Sequence, residues 1–211
     1  SLKPNSIIVV KEDVQLFSMW HLQYALGRRQ DLTVIGQGLA GSPWYQDMVH
    51  RKDKDIVLVP LKAEDNWLDL VKVNPGRDVY ASIDVDISAS KGLVSQPQGI
   101  PLLLKDKKTA GLNYGMMDNL YVYRGLYEYD SYREFFTPDL IEDYSKTRHS
   151  MGFHYMNNKN SNSAKREYSL ALYNKRLSPA SASTLAFMYF SEGYSPFPFF
   201  LFYFFEFFGP F

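Results

Sequence analysis

Cysteine is absent from all 211 residues. That absence removes disulfides, thiolate zinc sites, iron–sulfur clusters and cysteine nucleophiles together, and it leaves the redox compartment unreadable. An excess of one charge is missing too: 23 Lys and Arg balance 23 Asp and Glu, for a formal net charge of +0. A phosphate-backbone partner draws on a basic face. The densest basic run, residues 105–108, is interrupted by Asp106, so no nucleic acid is expected. Catalytic signatures are sparse. The four histidines, His21, His50, His149 and His154, have no H-E-x-x-H spacing. There is no G-x-S-x-G elbow, no Walker lysine and no Asn-x-Ser/Thr sequon. No metal and no cofactor is therefore expected. The opening "SLKPNS" is polar and is not a signal peptide; so abrupt a start is what an excised piece of a longer protein would show.

With 45% hydrophobic residues the chain can build one ample core or two small ones. The run "SIIVV" (residues 6–10) reads as a buried strand. Asp13 is a candidate N-cap for a helix over 14–26, with Gly27 as its stop. "LTVI" (32–35) is a second strand. Ser42-Pro43 then opens a short helix over 44–50. "DIVLVPL" (55–61) reads as a third strand, and residues 63–73 as a helix with Trp67, Leu70 and Val71 inward, stopped by Asn74-Pro75-Gly76. "VYASIDVDI" (79–87) alternates with period two and predicts a half-exposed strand near a sheet edge. "GIPLLL" (99–104) is a weaker last strand. This alternation predicts an α/β fold: a small, mostly parallel, three-layer Rossmann-like sheet domain over residues 1–105. A polar connector follows at 106–116, and helical composition dominates 117–193, with breaks at Gly125 and Thr137-Pro138.

Residues 31–45, "DLTVIGQGLAGSPWY", carry a literal G-x-G-x-x-G at Gly36, Gly38 and Gly41. A dinucleotide fingerprint follows the first strand of its unit, starts its helix inside the glycines and has an acid at the end of the next strand. Here the motif follows the second strand, the helix begins after Ser42-Pro43, and the far end of the expected third strand carries Pro60. A mobile glycine-rich loop is the preferred reading, although its position at a strand end suits a ligand. Glu12 and Asp13, after the first strand, lie beside it in any parallel arrangement; helix capping is preferred for Asp13. Asp84 and Asp86 point the same way from the expected strand and form a possible metal or acid/base pair, against a solvated strand face as the plainer reading.

In the helical part, Met151, Gly152, Tyr155, Ala164, Tyr168 and Ala171 fall at the offsets of a tetratricopeptide repeat. Small residues there let two antiparallel helices approach, and aromatics fill the gap beside them. Leu185, Ala186 and Tyr189 recur 34 residues on, so a repeat over about 145–178 and half of a second are expected, against an ordinary helical hairpin. Nine of the 15 phenylalanines crowd into the tail after Pro196. Residues 194–211 are too short an apolar run for a membrane helix, and Glu206 interrupts them. The tail reads as a non-native end in preference to a packed segment or the start of a membrane-associated stretch.

The segment "EDVQLFSMWHLQYALGRRQDLTVI", followed by "PWY", resembles the region after the last membrane span in a family of multi-span, protein O-mannosyltransferase-like membrane proteins. The matching positions are Asp13, Phe17, Trp20, Leu22, Gln23, Gly27, Arg29, Asp31, Val34, Trp44 and Tyr45. The resemblance covers residues 5–105 by pattern and 116–193 by its helical architecture, and departs from the family in the glycine-rich loop. It implies that catalysis and the lipid-linked sugar belong to a membrane part preceding this chain. The chain is then the extracytoplasmic domain of a glycosyltransferase-like protein, not catalytic alone, which recognises an acceptor polypeptide or scaffolds a partner protein. The candidate ligand-binding residues are Glu12, Asp13, Trp20, His21, Gly36, Gly38, Gly41, Trp44 and Tyr45. The rival reading is a free-standing enzyme or nucleotide binder with its site at the strand C-terminal ends.

Overall fold

Four β-branched residues in a row have no polar face to offer water, and β1 (Ile7–Val10) is buried along its whole length. The computed structural model describes residues 2–61, 67–87, 90–108, 137–174 and 178–193. The chain divides into two compact units, residues 1–122 and 123–211.

In the first unit β1 lies between β2 (Thr33–Gly36) and β3 (Val79–Ala81), parallel to both. β5 (Leu102–Asp106) pairs antiparallel with β3, and β4 (Leu93–Pro97) antiparallel with β5, giving the order β2-β1-β3-β5-β4. The α/β class holds, but the sheet is mixed. The reason is the short connection from β4 to β5, closed by Gln98 N–H donating to Pro101 O at 2.9 Å with Gly99 at φ +85; so short a link permits only antiparallel neighbours.

Both faces are covered. Ile7, Val9, Ile35, Val79 and Ala81 pack with Tyr45 and Val49 of α2 (Pro43–Lys52) and Trp67 and Leu70 of α3 (Trp67–Val73). Ile8, Val10, Val34 and Tyr80 pack on the other face with Leu16 of α1 (Asp13–Trp20).

Several sequence expectations change. Residues 55–61 form no strand. Ile56 and Leu61 are buried, but the Asn74 amide takes the place of a neighbouring strand, accepting from Val57 N–H at 3.0 Å and donating to Val57 O at 2.9 Å. The strand expected over 79–87 stops at Ala81, where Val85 N–H turns back to Ser82 O. It is central, not at an edge, so Val79, Tyr80, Ala81 and Ser82 are all buried despite their alternation. β4, unforeseen, ends in a proline, as an edge strand allows. At α1 the capping position belongs to Glu12, and Asp13 is the first helical residue, where its charge favours the helix N-terminus. The segment after α1, His21–Ala25, is a π-helix ended by Gly27 at φ +61. Pro43 opens α2 after Ser42, as expected. Of the helix expected over 63–73, residues 63–66 lie outside the described residues, as do the break at Gly125, most of the connector and the phenylalanine-rich tail.

At the amino ends of the parallel strands, Arg77 ties three segments together. Its Nε donates to Asn5 O at 2.8 Å, Nη1 to Asp53 Oδ2 at 2.6 Å and Nη2 to Thr33 Oγ1 at 2.9 Å; Thr33 Oγ1 also donates to Asp53. Burial alone would push the Asp53 carboxyl up, but the hydrogen bonds from Thr33 and Arg77 and the guanidinium charge outweigh it and hold the group below its ordinary value.

The second unit contains α4 (Thr137–Asn157), α5 (Ser161–Asn174) and α6 (Pro179–Ser191). α4 and α5 are antiparallel. Ser145 Oγ donates to Ala171 O at 3.0 Å, Arg148 Nη1 to Glu167 Oε2 at 2.9 Å, and Gly152 faces the Tyr168 ring. α6 adds Ser181, whose Oγ lies 2.9 Å from His149 Nδ1. Among the described residues no helix is long and apolar enough to cross a membrane.

Three variants test this packing. A Cβ at Gly152 would sit 2.8 Å from Tyr168 Cε1 in a fully buried ring, so Gly152→Ala should destabilise the helical unit by about 1–3 kcal/mol in urea unfolding. Tyr168→Phe removes a buried hydroxyl without a partner and should cost less than about 1 kcal/mol. Asp53 stabilises the first unit above the ordinary carboxylate value, and this contribution falls away as pH drops through its lower folded value. Asp53→Asn should therefore lower the urea midpoint at pH 7, and its difference from the parent chain should shrink as pH is brought below the ordinary carboxylate value.

Candidate functional site

Parallel β1, β2 and β3 bring the residues that follow them to one edge of the sheet. The order β2-β1-β3 makes β1/β3 the place where the chain reverses direction across the sheet, the usual position of a crevice in such folds. Ser82 N–H makes the last bond there, to Val9 O at 2.9 Å. The turn after it brings Asp84 to α1, where Gln15 Nε2 donates to Asp84 Oδ1 at 3.3 Å. Lys11 Nζ lies 3.5 Å from Asp84 O. Three buried oxygens here have no hydrogen-bond partner: Gln15 Oε1, Ser82 Oγ and Asp84 Oδ2. Such a set is suited to holding the donors of a polar group. Asp84 and Asp86 do not share a strand face, because the strand ends before them, and Asp86 is exposed. Among the described residues no group of three or more His, Cys, Asp or Glu side chains is arranged to hold a metal ion.

The residues singled out from the sequence divide between this edge and the core. Glu12 and Asp13 are exposed at the start of α1. Gly36 ends β2; its N–H is not free to donate to an outside ligand because it donates to Tyr45 Oη at 2.8 Å. A Cβ on Gly36 would meet Leu16 Cδ2 at 2.9 Å, so α1 closes over the loop. Gly38 faces open space in a 3-10 turn (Gln37–Leu39), and Gly41 sits beside Pro60. None of the three has a positive φ. The loop is thus a compact turn held from inside, with its first amide already used.

Tyr45 is fully buried, and burial pushes its hydroxyl pKa up. Trp20 is half-buried between the two core clusters, edge-on to Phe17 with centroids 5.7 Å apart. His21 is exposed on the π-helix, and Trp44 is 60% exposed on the first turn of α2. Phe17 is 58% exposed. Gln15 and Ser82 carried no sequence signal, because an amide on a helix and a serine after a strand are ordinary surface residues until a turn buries them.

A family model described as TMEM260-associated domain 2 matches residues 1–110, just over half of the 211. The chain belongs to that family. It is a TMEM260-type, O-mannosyltransferase-like family, so residues 1–110 are a domain of a membrane glycosyltransferase-like protein. Nothing among curated proteins or solved structures matches the chain. The TMEM260-associated domain thus takes in the whole sheet and both ends of its strands.

Tyr45→Phe removes the acceptor of the buried Gly36 N–H and should cost the sheet unit about 1–3 kcal/mol in thermal or urea unfolding. Gly38→Ala, which adds a methyl group to open space, should stay within about 0.5 kcal/mol of the parent.

Proposed function

We propose that residues 1–110 form an extracytoplasmic, extramembrane module of a glycosyltransferase-like membrane protein, and that the module recognises the acceptor polypeptide while sugar transfer takes place in the membrane part. The observation that carries this reading is the family match over the sheet domain. The surface chemistry supports it. Phe17 and Trp44 stand exposed on the helices that leave the carboxyl ends of neighbouring strands, and large aromatic side chains are the common anchors of polypeptide recognition. The same edge offers hydrogen-bonding side chains at Gln15 and Asp84.

The helical part fits a tetratricopeptide-like role. Met151, Gly152, Ala164, Tyr168 and Ala171 are buried, and Tyr155 is half-buried, which is the pattern that repeat uses to seat one helix on the next. Leu185 and Ala186 are buried and Tyr189 half-buried in α6. Such a stack presents a polypeptide-sized concave surface. Residues 106–116 serve as the connector in this reading.

The test uses the whole parent membrane protein with its donor lipid and an acceptor polypeptide. Phe17→Ala combined with Trp44→Ala should raise the KM for acceptor about tenfold or more, as the loss of two aromatic anchors does, and leave the KM for donor unchanged. An unchanged acceptor KM, or sugar transfer by residues 1–211 alone, would overturn the reading.

A further inference from the structure

One side of α6 faces its own unit and the other faces solvent. Ser181, Ala182, Leu185, Ala186 and Met188 are buried, and Leu185 and Met188 pack with Ala164 and Tyr168 of α5. On the opposite side Ala180, Ser183, Phe187 and Phe190 are exposed, Phe187 by 67% and Phe190 by 61%. Intervals of three, four and three residues keep these four within about a quarter-turn of the helix. No residue of α6 is charged, so covering the strip strips no ion of its hydration. Two uncovered phenylalanines on one uncharged strip mark an interaction face.

The strip is graded, with small side chains in its first half and large ones in its second. Rotating one copy of α6 end over end about Leu185 reverses that order. Phe187 then lies across from Ser183 of the second copy, and Phe190 from Ala180. Each large ring meets a small side chain, which is how facing positions interdigitate. Parallel pairing instead sets ring against ring and leaves Ala180 and Ser183 facing their own copies across a gap. Charge favours the reversed arrangement as well. In an isologous contact any charge near the two-fold axis meets its own copy at a cost, and α6 has none. α6 starts at Ser178 without a side-chain cap, and reversal brings the positive end of each helix dipole beside the negative end of the other.

We propose that the exposed face of α6 is a self-complementary dimerisation surface, and that its occupant is α6 of a second copy of this chain, antiparallel and related by a two-fold axis at Leu185. An apolar partner of another kind needs no such reversal of small and large about one residue. A helix of 13 residues is about 20 Å long, so this contact alone falls short of the roughly 1,200 Å² at which standard interfaces begin. The dimer is accordingly weak, with a Kd on the order of 100 μM. The inference rests on α6 alone and does not depend on the acceptor reading.

The experiment is sedimentation equilibrium on the 211-residue chain from about 10 μM to about 1 mM. The mean mass should climb from one chain towards two. Ser183→Phe sets ring on ring and should raise the Kd about tenfold or more; Ser183 bonds only within its own helix, so helix content by circular dichroism should match the parent. Adding Phe187→Ser exchanges large for small and should bring the Kd back to within about threefold of the parent. A second measurement adds no bulk. The chain has no cysteine, so Ser183→Cys and Phe187→Cys chains, mixed and oxidised, should form disulfides with each other and not with themselves. The proposal is overturned by a chain that stays monomeric throughout, as when residues 194–211 or another partner covers α6. It is equally overturned by a dimer that Ser183→Phe leaves unchanged, by a double variant as weak as the single one, or by disulfides that join identical positions.

Discussion

A primary amide cannot be buried without partners for both its ends, and the shape of the sheet domain's amino edge follows from that constraint at Gln23. The residue is 2% exposed. Leaving its donors and acceptor unmet would cost about 1–3 kcal/mol for each group. The chain meets them with two carbonyls from residues 29 and 32 and the ammonium of Lys52. To face inward, Gln23 needs the wider turn of the π-helix, closed by Leu26 N–H on His21 O at 3.2 Å. To reach the amide, the strand-entry loop must fold back, which Gly27 and Arg29 accomplish with positive φ. The loop's exit sets where Leu32 and Thr33 enter β2, and thereby the register of β2 against β1.

The two edges of the sheet are built on opposite principles. At the carboxyl edge the chain fills its own space: Leu16 leans on Gly36, Tyr45 occupies the Gly36 amide, and Ala40 is buried beneath the turn. Gly36 is small because α1 presses on it, which is a packing reason and not a phosphate-binding one. At the amino edge, side chains are held back against each other and leave room in front of them. Arg77 spans from the Asn5 carbonyl to Thr33 and so links the starts of all three parallel strands. Its ion pair with Asp53 is less than one-fifth exposed on either side, so solvent screens it only in part. A polar edge bound this way keeps its shape when nothing occupies it.

The sequence was legible where local pattern and tertiary role coincide. β1 and the start of β2 are continuous apolar runs in the chain and buried parallel strands in the fold. Ser42-Pro43 starts α2 because proline already holds the φ of a first helical turn and has no N–H to lose. Legibility failed where a partner distant in sequence decided the outcome. Residues 55–61 have strand composition, yet one side chain, Asn74, satisfies both backbone groups of Val57 in place of a ladder partner. The alternation over 79–87 promised an exposed face, but β5 and α1 cover it, and neither can be inferred from that segment alone. β4 has almost no propensity of its own; it is a strand because the tight connection to β5 delivers it to an edge. The predicted carboxyl-edge residues were placed near one another by parallel topology, whereas the amino-edge wall combines residues 5, 31, 52–55 and 77, a set that no local motif marks.

The helical unit shows what a buried ion pair does when it adds little net stability. Arg148 and Glu167 are 4% and 2% exposed, and taking both charges out of water offsets most of their attraction. Their value lies in register. Ser145, Arg148 and Gly152 sit one turn apart along a single face of α4, and each has its own counterpart on α5: the Ala171 carbonyl, the Glu167 carboxylate and the Tyr168 ring. Sliding α5 by one turn would set Tyr168 against Arg148 or Met156, side chains with bulk where Gly152 has none, and would separate the two charges inside an apolar setting. Hydrophobic contact alone is nearly indifferent to such a slip. A glycine socket and a buried charge pair are not, because every wrong register combines a steric clash with an uncompensated ion.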